Sequence, residues 1–232
     1  MDAPLKFLPY FKSTIWGGDR ISKFKRMSSN CPSIGESWEL SGIDGCESIV
    51  AEGVHCGMTL SALTEKYGAQ LLGKKVYMKF GAKFPLLLKF IDARQDLSIQ
   101  VHPDDKLAME RHSSLGKTEM WYVLEASEGA KIRTGLKWSI TPDEYSSRVR
   151  EHSLTDVIGC YDSRPGDVYY LPAGRLHAIC AGNFLVEVQE SSDITYRVDD
   201  HGRRDADGNL RELHTELAKD AIDYSYYDDC RS

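Results

Sequence analysis

The chain has 232 residues, of which 41% are hydrophobic and 28% are charged, and its formal net charge is −6. A chain of this length can bury a substantial core, either as one large domain or as two modest ones. The acidic balance argues against nucleic acid or an anionic membrane as the main partner, and no apolar run reaches the roughly 18 residues that a membrane-spanning helix needs.

The amino terminus and the cysteines indicate the cellular compartment. Residues 1–6 lack the basic and then apolar pattern of a signal peptide. The six cysteines are scattered and form no CxxC pair, so we expect reduced thiols and no disulfide framework. Both features favour a cytoplasmic protein.

The first half of the chain predicts strands with one helical segment. Short apolar pieces alternate with Gly, Ser and Pro over the first fifty residues, which indicates strands and loops. Apolar residues then recur at helical spacing behind Thr59, a candidate N-cap, and predict a helix near 59–73. Residues 84–91 form an apolar run that Lys89 interrupts, and they predict a central strand.

The second half predicts further strands with two helical insertions, near 103–117 and 142–158. A hairpin is expected around Glu128 and Gly129, because strand-like segments flank this turn signal. Four more strands are expected near 168–171, 178–180, 184–189 and 195–198. Many short strands with few helices indicate a mainly β protein, a β-sandwich or jelly roll.

Two stretches far apart in sequence supply side chains that bind metals. In the first, Gln100 and His102 lie two residues apart on a predicted strand and so point to the same face. Glu119 follows on the next predicted strand. In the second, a Pro-x-Gly turn precedes His177 and directs its imidazole inward at the start of a new strand. Two imidazoles, a carboxylate and an amide form a suitable site for a divalent metal.

The second stretch fits the second motif of the cupin jelly roll, Gly-x5-Pro-x-Gly-x2-His, from Gly166 to His177. The first cupin motif is altered, since Gln100 replaces its first His and 16 residues separate His102 from Glu119. In these departures the chain resembles the zinc-dependent type I mannose-6-phosphate isomerases, and in particular their short bacterial form. The resemblance covers nearly the whole chain and rests on residues 15–18, 35–39, 88–90, 97–103, 116–119, 172–177 and 192–197.

The resemblance implies an enzyme that interconverts mannose 6-phosphate and fructose 6-phosphate through a cis-enediol(ate). It implies one zinc per chain, and manganese, cobalt or ferrous iron could substitute because the site has no thiolate ligand. The implied fold is a cupin jelly-roll sandwich across residues 1–232 with a few inserted helices. The short form continues into a small β-lobe, which we expect to be absent here after about residue 218. The implied metal ligands are Gln100, His102, Glu119 and His177.

The resemblance also gives roles to residues outside the metal set. It implies catalytic roles for Lys117, Asp193 and Arg197, and a phosphate subsite that includes Lys89, Ser98 and Arg197. The plainer interpretations are that Lys117 is a surface lysine and that Asp193 and Arg197 form an ordinary surface pair. Lys117, Asp193 and a water on the metal are the candidate proton carriers, and the sequence does not rank them.

Two other functions remain open from the sequence. One is a metal-dependent cupin oxygenase, which strict dependence of turnover on O₂ would favour. The other is a non-catalytic cupin that binds sugar phosphates, which metal-dependent binding without isomerisation would favour. In each case the expected partner is a small molecule, with no nucleic acid and no membrane, and the expected state is a monomer or weak homodimer.

Overall fold

The computed structural model describes residues 4–27, 33–204 and 207–228. Within these residues the protein is mainly β, because short segments of alternating polarity are separated by turns. The strands are β1 (Phe7–Leu8), β2 (Tyr10–Gly18), β3 (Ile34–Leu40), β4 (Ile49–Val50), β5 (Leu86–Ala93), β6 (Ile99–Val101), β7 (Glu119–Ala126), β8 (Lys131–Leu136), β9 (Ile158–Asp162), β10 (Val168–Leu171), β11 (His177–Ile179), β12 (Asn183–Glu190) and β13 (Tyr196–Asp199).

The helices are short and lie between strands. They are α1 (Arg20–Phe24), α2 (Leu60–Tyr67), α3 (Ala69–Leu72), α4 (Lys74–Phe80), α5 (Asp105–His112), α6 (Pro142–Arg150), a 3₁₀ turn (Leu154–Val157) and α7 (Thr215–Ala221). Thr59 caps α2 as the sequence predicts, since its hydroxyl oxygen accepts a hydrogen bond from the Ala62 N–H at 3.1 Å. In the part of the chain that the structure describes, no helix is both long and apolar enough to cross a membrane.

The strands form two large antiparallel sheets and a separate β1–β4 pair. In the larger sheet β10, β7, β12 and β5 lie side by side, and β3 and β2 extend it beyond β5. The smaller sheet has the order β13–β6–β11–β8–β9. Strands that are distant in sequence become neighbours, as in β12 against β5 and β11 against β6. This arrangement agrees with the jelly-roll sandwich expected from the sequence.

The prediction of a hairpin around Glu128 and Gly129 is wrong. The turn itself is present, and Gly129 has a φ of 76°. However, β7 before the turn belongs to the larger sheet and β8 after it belongs to the smaller one. The chain therefore crosses from one sheet to the other here, because a turn residue fixes the local reversal and not the choice of pairing partner.

Three apolar clusters form the layers. The cluster between the sheets draws on both of them and includes Trp16, Ile91, Trp121, Val123, Ile132, Ile179 and Leu185. On the outer face of the smaller sheet, α6 and α7 cover a second cluster that contains Ile99, Val101, Tyr145, Ala178, Tyr196 and Ala218. On the outer face of the larger sheet, Ile21 of α1 packs with Ile34 and Phe184.

Candidate metal centre

Polar side chains and tryptophans form two rows that face each other between the sheets. On the smaller sheet, cross-strand pairing places Arg197, Gln100, His177 and Thr134 in one row. On the larger sheet, the matching row is Trp121, Glu187, Lys89 and Trp38. The Trp121 and His177 rings meet edge to face with their centroids 5.3 Å apart, which joins the two rows. These rows frame the candidate site.

The α5 insertion brings Lys117 and Glu119 back to His102. The Asp104 carboxylate caps α5 by accepting a hydrogen bond from the Leu107 N–H at 2.8 Å. After the helix, the Lys117 N–H donates to the Pro103 carbonyl at 3.2 Å. Gly116 makes this closure possible, since a Cβ there would lie 2.6 Å from backbone atoms of Asp104 and Asp105. The long interval between His102 and Glu119 is thus a closed loop that keeps both residues at one place.

The Pro-x-Gly turn brings His177 to the same place. Gly174 has a φ of 88°, in the left-handed region that glycine adopts readily. Its N–H donates to the His102 carbonyl at 2.9 Å, so the turn is tied directly to the strand that carries His102. The strand β11 then begins at His177, whose ring centroid lies 4.8 Å from that of His102.

His102, Glu119 and His177 converge in the interior. All three are buried, and one potential ligand atom from each lies within 4.8 Å of the others. The His177 Nε2 lies 3.2 Å from the Glu119 Oε1, and the His102 Nε2 lies 3.6 Å from the Glu119 Oε2. In the part of the chain that the structure describes, these three residues form the group of His, Cys, Asp or Glu side chains that lie close enough together to hold a metal ion.

Hydrogen bonds fix both imidazoles in the tautomer that binds metals. The Nδ1 of His102 donates to the Ile194 carbonyl at 3.0 Å, and the Nδ1 of His177 donates to the Arg175 carbonyl at 2.8 Å. Each Nε2 therefore presents a lone pair to the cluster. Burial lowers the pKa of His177 to about 3 and the pKa of His102 well below its ordinary value, and the Lys117 ammonium adds to both shifts. Both rings are neutral at neutral pH.

The Glu119 carboxylate needs positive charge at this position. Burial raises the pKa of Glu119 to about 7, although the nearby Lys117 ammonium opposes the rise. Its Oε1 is buried without a hydrogen-bond donor and faces the Nε2 lone pair of His177. Two electron-rich atoms at this separation repel each other unless a proton or a metal cation lies between them. Lys117 supplies one charge, because its ammonium contacts Glu119 and lies 3.0 Å from the His102 Nε2.

Gln100 completes the set. Its amide nitrogen lies 3.2 Å from the His177 Nε2, to which it can donate because that atom is not protonated. Rotation of the Gln100 amide by a half-turn directs its oxygen toward the cluster in place of the nitrogen. Two imidazole nitrogens, a carboxylate and an amide oxygen suit a divalent cation, and the orphaned Glu119 oxygen fits the same conclusion. The residues present therefore fit a metal ion held by Gln100, His102, Glu119 and His177.

The structure places Lys89 deep in the interior, where it is 5% exposed. Its ammonium lies 3.1 Å from the Glu187 Oε1 and 3.5 Å from the Glu36 Oε2. Burial lowers the pKa of Lys89, but the two carboxylates outweigh burial and the pKa is raised overall. Its charge is therefore already compensated by carboxylates of the larger sheet.

Glu187 is the site residue that the sequence analysis does not identify. It is 3% exposed, and its Oε2 accepts a hydrogen bond from the Trp121 Nε1 at 2.9 Å. Burial raises its pKa, but Lys117 and Lys89 outweigh burial and lower the pKa of Glu187 to about 2. A signal was present, since Glu187 interrupts an apolar strand and shares a face with Gln189.

The remaining predicted site residues lie around this centre. Asp193 does not pair with Arg197, because its carboxylate accepts from the Lys12 ammonium at 3.0 Å. Arg197 is next to Gln100 in its row and donates from Nη1 to the Glu212 carbonyl, while its Nε is buried without a partner. Burial, and after it the charge of Arg211, lowers the pKa of Arg197. Ser98 is buried two residues before Gln100.

Comparison with known proteins gives a consistent result. A family model described as "Phosphomannose isomerase type I, catalytic domain" matches residues 5–129. The mannose-6-phosphate isomerase ManA of Bacillus subtilis (strain 168) is 38% identical over 223 residues, which cover 95% of this chain and 68% of that protein. A mannose-6-phosphate isomerase of Streptococcus mutans is 36% identical over 222 residues, covering 96% of this chain and 68% of that protein.

A solved structure matches the whole fold. The crystal structure of the mannose 6-phosphate isomerase from Bacillus subtilis aligns with a TM-score of 0.90 at 37% sequence identity, covering 98% of this chain and 71% of that chain. The chain belongs to the type I phosphomannose isomerases, a family of metal-dependent enzymes with the cupin fold.

Proposed function

We propose that this protein interconverts mannose 6-phosphate and fructose 6-phosphate at the centre formed by Gln100, His102, Glu119 and His177. The observation that carries the proposal is the buried convergence of two neutral imidazoles and a carboxylate beside Lys117. The chain's relatives of similar sequence are named mannose-6-phosphate isomerases, which supports the same reaction.

Zinc is the metal that we propose for the site, with one ion per chain. Nitrogen and carboxylate ligands suit zinc, and the lack of a thiolate leaves manganese, cobalt or ferrous iron as possible substitutes. A divalent metal here supplies Lewis acidity that polarises a carbonyl or hydroxyl oxygen of the sugar. Because Gln100 and both imidazoles are neutral, Glu119 contributes the single negative charge of the ligand set, and positive charge remains to stabilise an enediolate.

The residues around the ligands serve proton transfer. Interconversion requires a base to remove a proton from the carbon beside the carbonyl and an acid to return a proton to the neighbouring carbon. We propose Lys117 and Asp193 for these steps. The Lys117 ammonium contacts Glu119 and lies 3.0 Å from the His102 Nε2, and Asp193 is a half-exposed carboxylate next to Ile194, whose carbonyl binds His102. General acid–base catalysis of this kind contributes about 10²–10⁴-fold.

We propose that Arg197, Ser98 and Lys89 act on the substrate. Arg197 is beside Gln100 and has a buried Nε without a partner, so it can donate to an oxygen of the substrate. Ser98 precedes Gln100 by two residues and offers a hydroxyl. Lys89 acts on the substrate through the electrostatic potential of its ammonium and not by direct contact, because this ammonium is paired with Glu187.

The proposal is tested by adding fructose 6-phosphate to the zinc-loaded protein and coupling the product to an assay specific for mannose 6-phosphate. We expect turnover that is lost with chelator and restored with zinc. A folded, zinc-loaded protein that binds sugar phosphate without turnover would contradict the proposal and favour a binding module. Turnover that strictly requires O₂ would contradict it in favour of an oxygenase.

A further inference from the structure

Lys12 occupies the outer end of the charged network on the larger sheet. It lies on β2 opposite Glu36 of β3, and Glu36 accepts a hydrogen bond from the Trp38 Nε1 at 2.6 Å. The Lys12 ammonium lies 3.8 Å from the centre of a Trp38 ring, and the Lys89 ammonium lies 4.9 Å from the centre of a ring of the same side chain. The network thus runs from the buried Lys89, past Trp38, to Lys12 at the more open side.

Exposure separates Lys12 from the two buried lysines. The side chains of Lys89 and Lys117 are 5% and 4% exposed, and each contacts a buried carboxylate. The Lys12 side chain is 29% exposed, and its partner Asp193 is 50% exposed. An ion pair with this much solvent contributes little stability, so it can be exchanged at small cost. Lys12 is therefore a cation held in place by Trp38 and able to change its anionic partner.

The position of Asp193 ties Lys12 to the metal centre. Asp193 precedes Ile194, whose carbonyl accepts the hydrogen bond from the Nδ1 of His102 at 3.0 Å. The negative charge of Asp193 also acts on the buried Lys89. Lys12 therefore reaches the same loop that orients a proposed metal ligand, from the more solvent-exposed side. Through Asp193 and the neighbouring Ile194, Lys12 is linked to the proposed metal ligand His102.

We propose that Lys12 binds the phosphate group of the substrate by exchanging the Asp193 carboxylate for a phosphate oxygen. The inference rests on the proposed function, since it assigns the phosphate of that substrate to a residue linked to the same centre. A phosphate carries more charge than a carboxylate and accepts charge-assisted hydrogen bonds, so it competes well for the ammonium. The exchange also releases Asp193 from its cation when the substrate is present, which leaves its carboxylate available as a proton acceptor.

The test measures binding of mannose 6-phosphate and of inorganic phosphate to zinc-loaded wild type and Lys12→Met, with zinc content and melting temperature recorded for each. We expect Lys12→Met to weaken both ligands roughly ten- to a hundred-fold while zinc content is retained, because a charge-assisted hydrogen bond is lost. Lys12→Arg keeps the charge and should recover part of the affinity. The matched control is Lys131→Met, which removes a strand lysine paired with Asp162 at 2.7 Å and should leave binding unchanged.

The variant Asp193→Asn distinguishes two roles of Lys12: binding the phosphate, or holding the loop in place through its ion pair with Asp193. If Lys12 binds phosphate, Asp193→Asn releases the lysine, and binding should be as tight as in the wild type or tighter. If Asp193→Asn and Lys12→Met weaken ligand binding equally, the proposal is overturned, and the ion pair serves to hold the loop in place. Wild-type affinity in Lys12→Met would overturn it as well. A loss of phosphate affinity in Lys12→Met, with no isomerase turnover in the wild type, would contradict the proposed function and leave the phosphate site standing.

Discussion

Replacing Lys89 with methionine should destabilise the protein through the charge that it leaves behind. Lys89 and Glu187 are 5% and 3% exposed, and their charged atoms lie 3.1 Å apart. Methionine keeps most of the side-chain volume and removes the ammonium. Glu187 then remains buried without its neighbouring cation, and breaking a buried ion pair in this way generally costs about 3–5 kcal/mol.

The pKa of Glu187 indicates how large this loss of stability is. A fall of the Glu187 pKa from its ordinary value of 4.5 to about 2 corresponds to about 3 kcal/mol in favour of the ionised form. Lys117 and Lys89 share this effect, and Lys117 is retained in the variant. Because Lys117 still compensates part of the Glu187 charge, we expect Lys89→Met to lower the free energy of unfolding by about 3 kcal/mol at neutral pH, the lower end of the range for broken buried pairs.

The effect should depend on pH with a defined sign. The folded-state pKa of Glu187 lies below its unfolded value, so its contribution to stability is complete above about pH 4.5 and is lost as the pH falls toward about 2. The gap between wild type and Lys89→Met should therefore be widest at neutral pH and should narrow in acid. Urea unfolding of chelator-treated proteins, at neutral and at acidic pH, measures this gap without a contribution from bound metal.

Two further variants make the measurement decisive. Lys89→Met combined with Glu187→Gln removes both charges, and its cost should be smaller than the sum of the single costs by about 1–3 kcal/mol. Lys131→Met removes an exposed lysine from its ion pair and should change stability little. A Lys89→Met protein as stable as Lys131→Met, or additive costs in the double variant, would refute the account of a coupled buried pair.

Three other outcomes follow from the structure. His177→Ala should lose most of its bound divalent metal while remaining folded, and full metal content by elemental analysis would contradict the assigned ligand set. Lys117→Met should lower kcat by roughly 10²–10⁴-fold with metal retained, and unchanged kcat in steady-state assays would remove Lys117 from proton transfer. Thr59→Ala should lower the free energy of unfolding by about 1 kcal/mol without changing KM, because the cap of α2 is lost; an unchanged urea midpoint would argue against that cap.

The inward direction of the candidate ligands could be predicted because it is encoded locally. Gln100 and His102 alternate with Ile99 and Val101, which are buried on the outer side of the smaller sheet. The period of two therefore directs the amide and the imidazole to the inner face. The Pro-x-Gly turn does the same for His177, since Gly174 adopts the left-handed conformation that the motif requires.

The electrostatic partners could not be predicted from local patterns. The sequence shows that Lys89 interrupts an apolar strand, but the pairing of β12 with β5 decides that its anionic neighbour is Glu187. Likewise, Asp193 is found with Lys12 from the other end of the chain and not with Arg197 four residues away. Such pairs depend on which strands become neighbours, and the β7–β8 turn shows that turn signals do not supply this information.

The central claim is that the protein moves a proton between neighbouring carbons of the sugar at the metal centre. The most direct measurement incubates the zinc-loaded protein with fructose 6-phosphate in D₂O and follows the product by NMR. The account predicts mannose 6-phosphate with solvent deuterium at C2, formed by the wild type and lost both with chelator and in His177→Ala. Mannose 6-phosphate that retains only substrate hydrogen, or no product from a folded and zinc-loaded protein, would contradict it.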